Sequence, residues 1–273
     1  MMVRSCASEP EDSVEAAKET WAEYQLGDVG VGACASDMVA PAMTQRMIDF
    51  EVDPARTDWN FSSNGRKVVY LTIDDGPSDK TEQILDILDR YGCKATFFVI
   101  GRDGEHFPII KEAFLRGHTI GLHSYTHDYA HIYSSEQAYY DDLNSIGEAV
   151  REQIGFVPAF IRFPGGSSNT ISKNYSAGIM SRVTQGVQSM GYQYWDWNVS
   201  SGDGADISTE AFVSNCTVDA TEYDNIVMLM HDSAAKQASV DGLPAVIEYW
   251  QAKGYTFEAI DRNSFVAHHG VNN

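Results

Sequence analysis

Two adjacent carboxylates, Asp74 and Asp75, close the run Thr72-Ile73-Asp74-Asp75-Gly76-Pro77. Paired acids at the end of an apolar stretch can divide labour, one binding a cation while the other accepts a proton. The same residues also suit an ordinary Asp-Gly turn. His123 and His127 stand four apart in His-Ser-Tyr-Thr-His. That spacing lets two imidazoles reach one point from a helical turn or a tight loop, as zinc ligands do. A third histidine, His131, follows at the same interval and is read as structural. In Arg162-Phe163-Pro164-Gly165-Gly166-Ser167, a cation leaves an apolar stretch and needs a carboxylate partner. The proline stiffens the turn after it, and the glycines let backbone approach a ligand and donate N–H to an oxyanion. From Trp195 to Asp203, the acids Asp196 and Asp203 lie among two tryptophans, whose flat faces suit a sugar ring. His231 follows an apolar run that includes Leu229, and an imidazole is a natural general acid near neutral pH. Each cluster alone has a plainer reading as a turn, a core tryptophan pair, a surface arginine or a satisfied histidine.

These groups must be held by something regular. Residues 67–73 form a β-branched, buried-strand run, and similar runs occupy 95–100, 119–122, 159–163, 192–195, 225–230 and 255–259. Helical patterns fill 79–91, 105–116, 134–154 (capped by Ser135), 176–190, 208–217 and 234–253, and several end at a glycine. Seven strands alternating with helices argue for a parallel sheet. Asp74, His123, Arg162, Asp196 and His231 all fall at or just after strand ends, and a barrel gathers those ends at one mouth. The expected fold is therefore an α/β, distorted (β/α) barrel of about seven parallel strands.

The 273 residues carry 39 acidic and 19 basic side chains, a net charge of −20, which disfavours nucleic acid and anionic membranes as partners. No apolar run is long enough to span a bilayer. Residues 1–60, with 12 acidic and 4 basic groups, read as an N-terminal extension or linker with a short helix over 10–26; residues 61–273 read as the catalytic domain. The opening residues lack the apolar core of a signal peptide, so the protein is either cytosolic or trimmed of its leader. The four cysteines form no C-x-x-C pair and suit buried or unpaired thiols.

Taken in order and with their spacing, the clusters resemble the polysaccharide deacetylase family, the metal-dependent carbohydrate esterases of family four. Thr72–Pro77, His123–His127, Arg162–Gly165 and Leu229–His231 match four of its five motifs, and the resemblance spans about residues 66–262. The fourth motif is an Asp-Trp pair several residues beyond a strand-borne Trp. Matching Trp197 to that Trp places the Asp at Asp203, with Gly204 where a Trp is expected; Asp196-Trp197 is the rival register. A second departure is Gly165-Gly166, where the family often has an aromatic residue after the proline. The resemblance implies that Asp75, His123 and His127 bind one divalent metal, zinc ahead of cobalt. It makes Asp74 the general base, oriented and kept ionised by Arg162. It makes His231 the general acid, with Asp203 or Asp196 raising its pKa. Leu229 and Trp197 would form the acetyl pocket, and Gly165 N–H would serve the oxyanion.

The implied activity is removal of acetyl groups from N-acetylated polysaccharides or oligosaccharides, of peptidoglycan or chitin type, by attack of a metal-activated water. Acetylxylan esterase is the alternative activity, and a catalytically silent glycan-binding protein the alternative class. The family implies a secreted or cell-envelope protein, with residues 1–60 as a tether.

Overall fold

The computed structural model describes residues 65–273, apart from 103, 219, 221 and 222. The N-terminal extension, its helix over 10–26, Cys6 and Cys34 lie outside the described residues. Cys93 and Cys216 are buried free thiols.

The sheet is built on β1 (Val68–Asp74), β2 (Ala95–Ile100) and β3 (Thr119–Ser124), in which every residue is buried. Strands covered on both faces should read as continuous apolar runs, and these do. β4 (Phe160–Ile161), β5 (Gln193–Tyr194), β6 (Val199–Ser200), β7 (Asn225–His231) and β8 (Thr256–Phe257) complete it. The hydrogen-bonded order is β5-β4-β3-β2-β1-β7-β6, with β8 pairing to β1, and every pair is parallel.

The edge strands show that this sheet is curled. A flat sheet would put β5 and β6, six spacings apart, about 29 Å from each other. Only residues 195–198 join them, and that length of chain spans about 17 Å at full stretch. The sheet must therefore roll until its edges nearly meet, which makes a barrel with one seam. Residues 195–198 cross that seam.

Helices α1 (Thr81–Arg90), α2 (Pro108–Leu115), α3 (Tyr129–Ile132), α4 (Glu136–Ile154), α5 (Ile179–Ser189), α6 (Thr209–Cys216) and α7 (Gln237–Ala252) accompany the strands. In α1 the buried apolar side chains are Ile84, Leu85, Ile87 and Leu88, one face of the period. Ser135 caps α4 by accepting the Ala138 N–H, and Ser208 caps α6 by accepting that of Ala211. Gly155 ends α4 at φ +89°, a left-handed conformation that favours glycine.

All seven expected strands are present, although β4, β5 and β8 keep only two residues each. β6 is additional. It arises inside the Trp195–Asp203 stretch, where a two-residue pairing leaves no alternation to detect. β3 runs further than expected, through Ser124, so His123 is itself a strand residue.

Candidate active site

The mouth of the barrel is built on β1 and β7, whose register sets Asp74 directly opposite His231. Adjacent strands lie about 4.8 Å apart. A carboxylate and an imidazole are thus fixed side by side without any loop being involved. Asp74, Asp75, His123, His127, Gly165, Trp197, Leu229 and His231 line one cavity of about 330 Å³.

Asp75, His123 and His127 bring one ligand atom each to within 4.8 Å of one another. Asp75 Oδ1 lies 3.6 Å from His123 Nε2 and 3.3 Å from His127 Nε2. His123 Nδ1 donates to the Arg162 carbonyl at 2.7 Å, which fixes the tautomer and leaves Nε2 as a lone-pair donor. Burial, with the neighbouring His127, pushes His123 down to about 3, so its ring is neutral at physiological pH. Asp75 Oδ1 is buried and accepts no hydrogen bond among the described residues. A buried, unpaired carboxylate oxygen aimed at two imidazole nitrogens is costly. A divalent cation would satisfy all three groups, and one Asp with two His suits an ion such as zinc with open positions left over. Asp75 (φ +72°) and His127 (φ +50°) both sit in the left-handed region, strain that the surroundings must hold.

The surroundings of His127 centre on Asp142, a residue that was not singled out from the sequence. Its buried carboxylate accepts from Ser124 Oγ (2.6 Å), Tyr125 N (2.8 Å), Thr126 N (2.8 Å) and Thr126 Oγ1 (2.7 Å). Ser124 Oγ in turn accepts His127 N–H. Asp142 lies on the buried stripe of α4 with Tyr139, Leu143 and Ile146. An acid inside an apolar stripe was the available signal. His131 lies on α3, exposed and outside the ligand trio.

Arg162 is fully buried and almost fully bonded. Its Nε donates to Trp195 O, its Nη2 to Asp196 O, and its Nη1 to Thr72 Oγ1 and, at 2.8 Å, to Asp74 Oδ1. Burial raises the Asp74 carboxyl above the usual carboxylate range, with the Arg162 charge pulling the other way. Arg162 therefore moderates the shift and does not by itself hold Asp74 low. A carboxylate whose pKa is raised is a better proton acceptor than an ordinary one.

His231 Nδ1 lies 2.7 Å from Asp203 Oδ1, and His231 N–H donates to Asp203 Oδ2 at 3.0 Å. Ser201 and Ser239 hydroxyls also donate to Asp203. Burial alone would lower His231. The Asp203 hydrogen bond and the charges of Asp74 and Asp203 outweigh it, and the net shift is upward. Burial would raise Asp203, but the His231 bond and charge and the two serines bring it below the usual range. Asp196 has no contact with this pair. It accepts from Ser167 N (2.8 Å), Ser167 Oγ (2.5 Å) and His269 N (2.8 Å), tying the turn after Pro164 to the C-terminal segment.

Gly165 N–H is not used in any hydrogen bond among the described residues. Trp197 lies over Gly166, where an added Cβ would meet its ring at 2.9 Å. Gly204 also lines the cavity, 3.7 Å (from a built Cβ) from His231 Cε1, so the absent side chain leaves the approach to His231 open. Asp232 is a second residue missed in the sequence. Burial pushes its carboxyl up to about 7, one oxygen accepts from Thr81 Oγ1, and the other has no hydrogen-bond partner among the described residues. It packs against Gly76, where a Cβ would stand 2.3 Å from its oxygen.

Comparison with known proteins places this geometry among relatives. Residues 62–195 match the family model described as polysaccharide deacetylase. A peptidoglycan-N-acetylglucosamine deacetylase of Bacillus cereus is 33% identical over 211 residues, covering 75% of this chain and 73% of that protein. The catalytic domain of a peptidoglycan N-acetylglucosamine deacetylase from Eubacterium rectale superposes with a TM-score of 0.76 at 44% identity, over 81% of this chain and 100% of that one. A family 4 carbohydrate esterase from Streptomyces lividans, in complex with acetate, gives 0.58 at 26% identity, over 74% and 96%.

Proposed function

Because the chain belongs to the polysaccharide deacetylase family, we propose that it removes acetyl groups from N-acetylated glycans of peptidoglycan or chitin type, leaving a free amine and acetate. One observation carries the reading. Asp74 and His231 stand opposite each other in register beside the Asp75–His123–His127 trio, in the same cavity. A divalent ion held by that trio, zinc in this proposal, would acidify a water and polarise the acetyl carbonyl.

The chain's own groups do the rest. Asp74 accepts a proton from the attacking water, with Arg162 fixing the carboxylate so that one oxygen stays turned to the site. The water oxygen bonds to the acetyl carbon. Gly165 N–H donates to the carbonyl oxygen as it becomes negative. His231 is held with Nδ1 on Asp203, so Nε2 is free to hand a proton to the amide nitrogen as the C–N bond breaks. An amine leaves poorly without that proton, and the upward shift of His231 keeps the acid loaded near neutral pH. Leu229 and Trp197 supply apolar surface for the acetyl methyl and the sugar. Glycans of this class are envelope polymers, so we place the site of action outside the cytoplasm.

The test is acetate release by zinc-loaded protein from chitopentaose, peptidoglycan and acetylated xylan side by side. Release from an N-acetylated glycan that EDTA abolishes is expected. Release from xylan alone, or release that survives complete metal removal, would overturn the proposal.

A further inference from the structure

The turn after Pro164 offers no side chain to the cavity, and the space in front of it belongs to Tyr129. A Cβ on Gly165 would stand 2.7 Å from Tyr129 Oη and 3.4 Å from its Cε1, and Gly165 has φ +78°. Glycine is thus required twice at this position, by backbone conformation and by the tyrosine. The Tyr129 ring is fixed edge-on between His127, at 5.7 Å between centroids, and Tyr133, at 5.6 Å. Tyr133, from the same short segment, donates its hydroxyl to Pro164 O at 2.7 Å. One hydroxyl therefore pins the turn. The other, on Tyr129, has no hydrogen-bond partner among the described residues and belongs to the cavity wall with Asp74, Asp75 and His231. A phenol ordinarily titrates near 10, so its hydroxyl is a hydrogen-bond donor near neutral pH.

Building on the deacetylase reading, we propose that Tyr129 is a further catalytic residue, whose hydroxyl donates a hydrogen bond to the acetyl carbonyl oxygen beside Gly165 N–H. The position argues for that atom over a sugar hydroxyl. Tyr129 Oη lies against Gly165, and Tyr129 lines the same cavity as the two carboxylates. An oxygen gaining negative charge rewards an added donor far more than a neutral sugar hydroxyl does. The aromatic residue missing from the turn is in effect supplied from α3.

The experiment is Tyr129→Phe, which keeps the ring and its packing. On chitopentaose, kcat should fall on the order of 10²-fold with KM nearly unchanged, as for loss of an oxyanion donor. The same fall should appear on 4-nitrophenyl acetate, whose leaving group needs no proton from His231. Zinc content and Tm should match wild type. Unchanged kcat, a rise in KM alone, or a loss confined to the amide substrate would overturn the assignment. So would loss of zinc or of a cooperative melt, which would make the hydroxyl structural. Wild-type protein that releases no acetate would overturn the deacetylase reading and this assignment with it, whereas an active wild type with an equally active variant would overturn this assignment alone.

Discussion

Replacing Asp203 by Asn should move the alkaline limb of the pH–rate profile. In its proposed role His231 acts as an acid only while protonated, so turnover should fall as pH rises through its pKa. Burial works to lower that pKa, and Asp203 is foremost among the groups that reverse the effect. The 2.7 Å contact is a charge-assisted hydrogen bond, and such bonds contribute about 1.5–3 kcal/mol. At 1.36 kcal/mol per unit, losing it shifts the limb by about one to two units toward acid. Asn still offers a neutral oxygen to Nδ1–H, so the ring stays oriented. Rates of wild type and Asp203→Asn should converge at pH values where both imidazoles are protonated. Above the wild-type limb they should differ by about 10- to 100-fold. Asp196→Asn should leave the limb in place, because Asp196 bonds Ser167 and His269 and not His231. The assay is kcat against pH on chitopentaose, with zinc content measured for each protein. An Asp203→Asn limb that coincides with wild type, or an Asp196→Asn limb that moves, would refute the reasoning.

Two further outcomes are expected. Asp142→Ala removes the acceptor for four donors around His127, and loss of such outer support costs metal sites about 10- to 100-fold in affinity; chelator competition yielding wild-type zinc affinity would contradict the role. Asp232, raised from an ordinary 3.8 to about 7, binds a proton in the folded state that the unfolded chain releases earlier. Its ionisation therefore lowers stability as pH rises from about 4 to 7, by roughly 4 kcal/mol for a gap of about three units. Relative to wild type, Asp232→Asn should gain stability between pH 4.5 and 8 in urea unfolding with EDTA present, and a difference that is constant with pH would rule this out.

The residues that meet in the candidate site were legible because they sit at the ends of strands whose apolar runs are unmistakable. Asp74 ends a seven-residue buried strand, and His231 ends another strand of seven whose five inner residues are buried. Which acid serves His231 was not legible. Asp196 and Asp203 are seven residues apart on a segment that crosses the seam, and only pairing of β6 with β7 decides which carboxylate turns toward His231. That pairing involves two residues of β6, too few for any periodicity. Asp142, Asp232 and Tyr129 were missed for another reason. Each meets its neighbours on another element of the fold, so nothing beside it in the sequence announces the contact. Asp142 came nearest to being visible, as an acid on an otherwise apolar helix face.

Arg162 shows why the fold and the site cannot be separated. A fully buried guanidinium is tolerable only when its donors are satisfied. Here two of them close on Trp195 O and Asp196 O, the backbone carbonyls of the segment that carries the chain across the barrel seam. The third side of the fork holds Thr72 and the proposed base Asp74, and the Arg162 carbonyl orients the His123 ring. One residue thus satisfies the backbone where the sheet fails to close, moderates the pKa of Asp74, and selects the tautomer of a candidate metal ligand. A lysine, with one point charge and no planar fork, could meet only one of these demands at a time. The open seam is therefore a working part of the site. Were the barrel sealed by β5–β6 pairing, those carbonyls would be taken by strand N–H groups, and the buried cation beside Asp74 would lose the partners that keep it there.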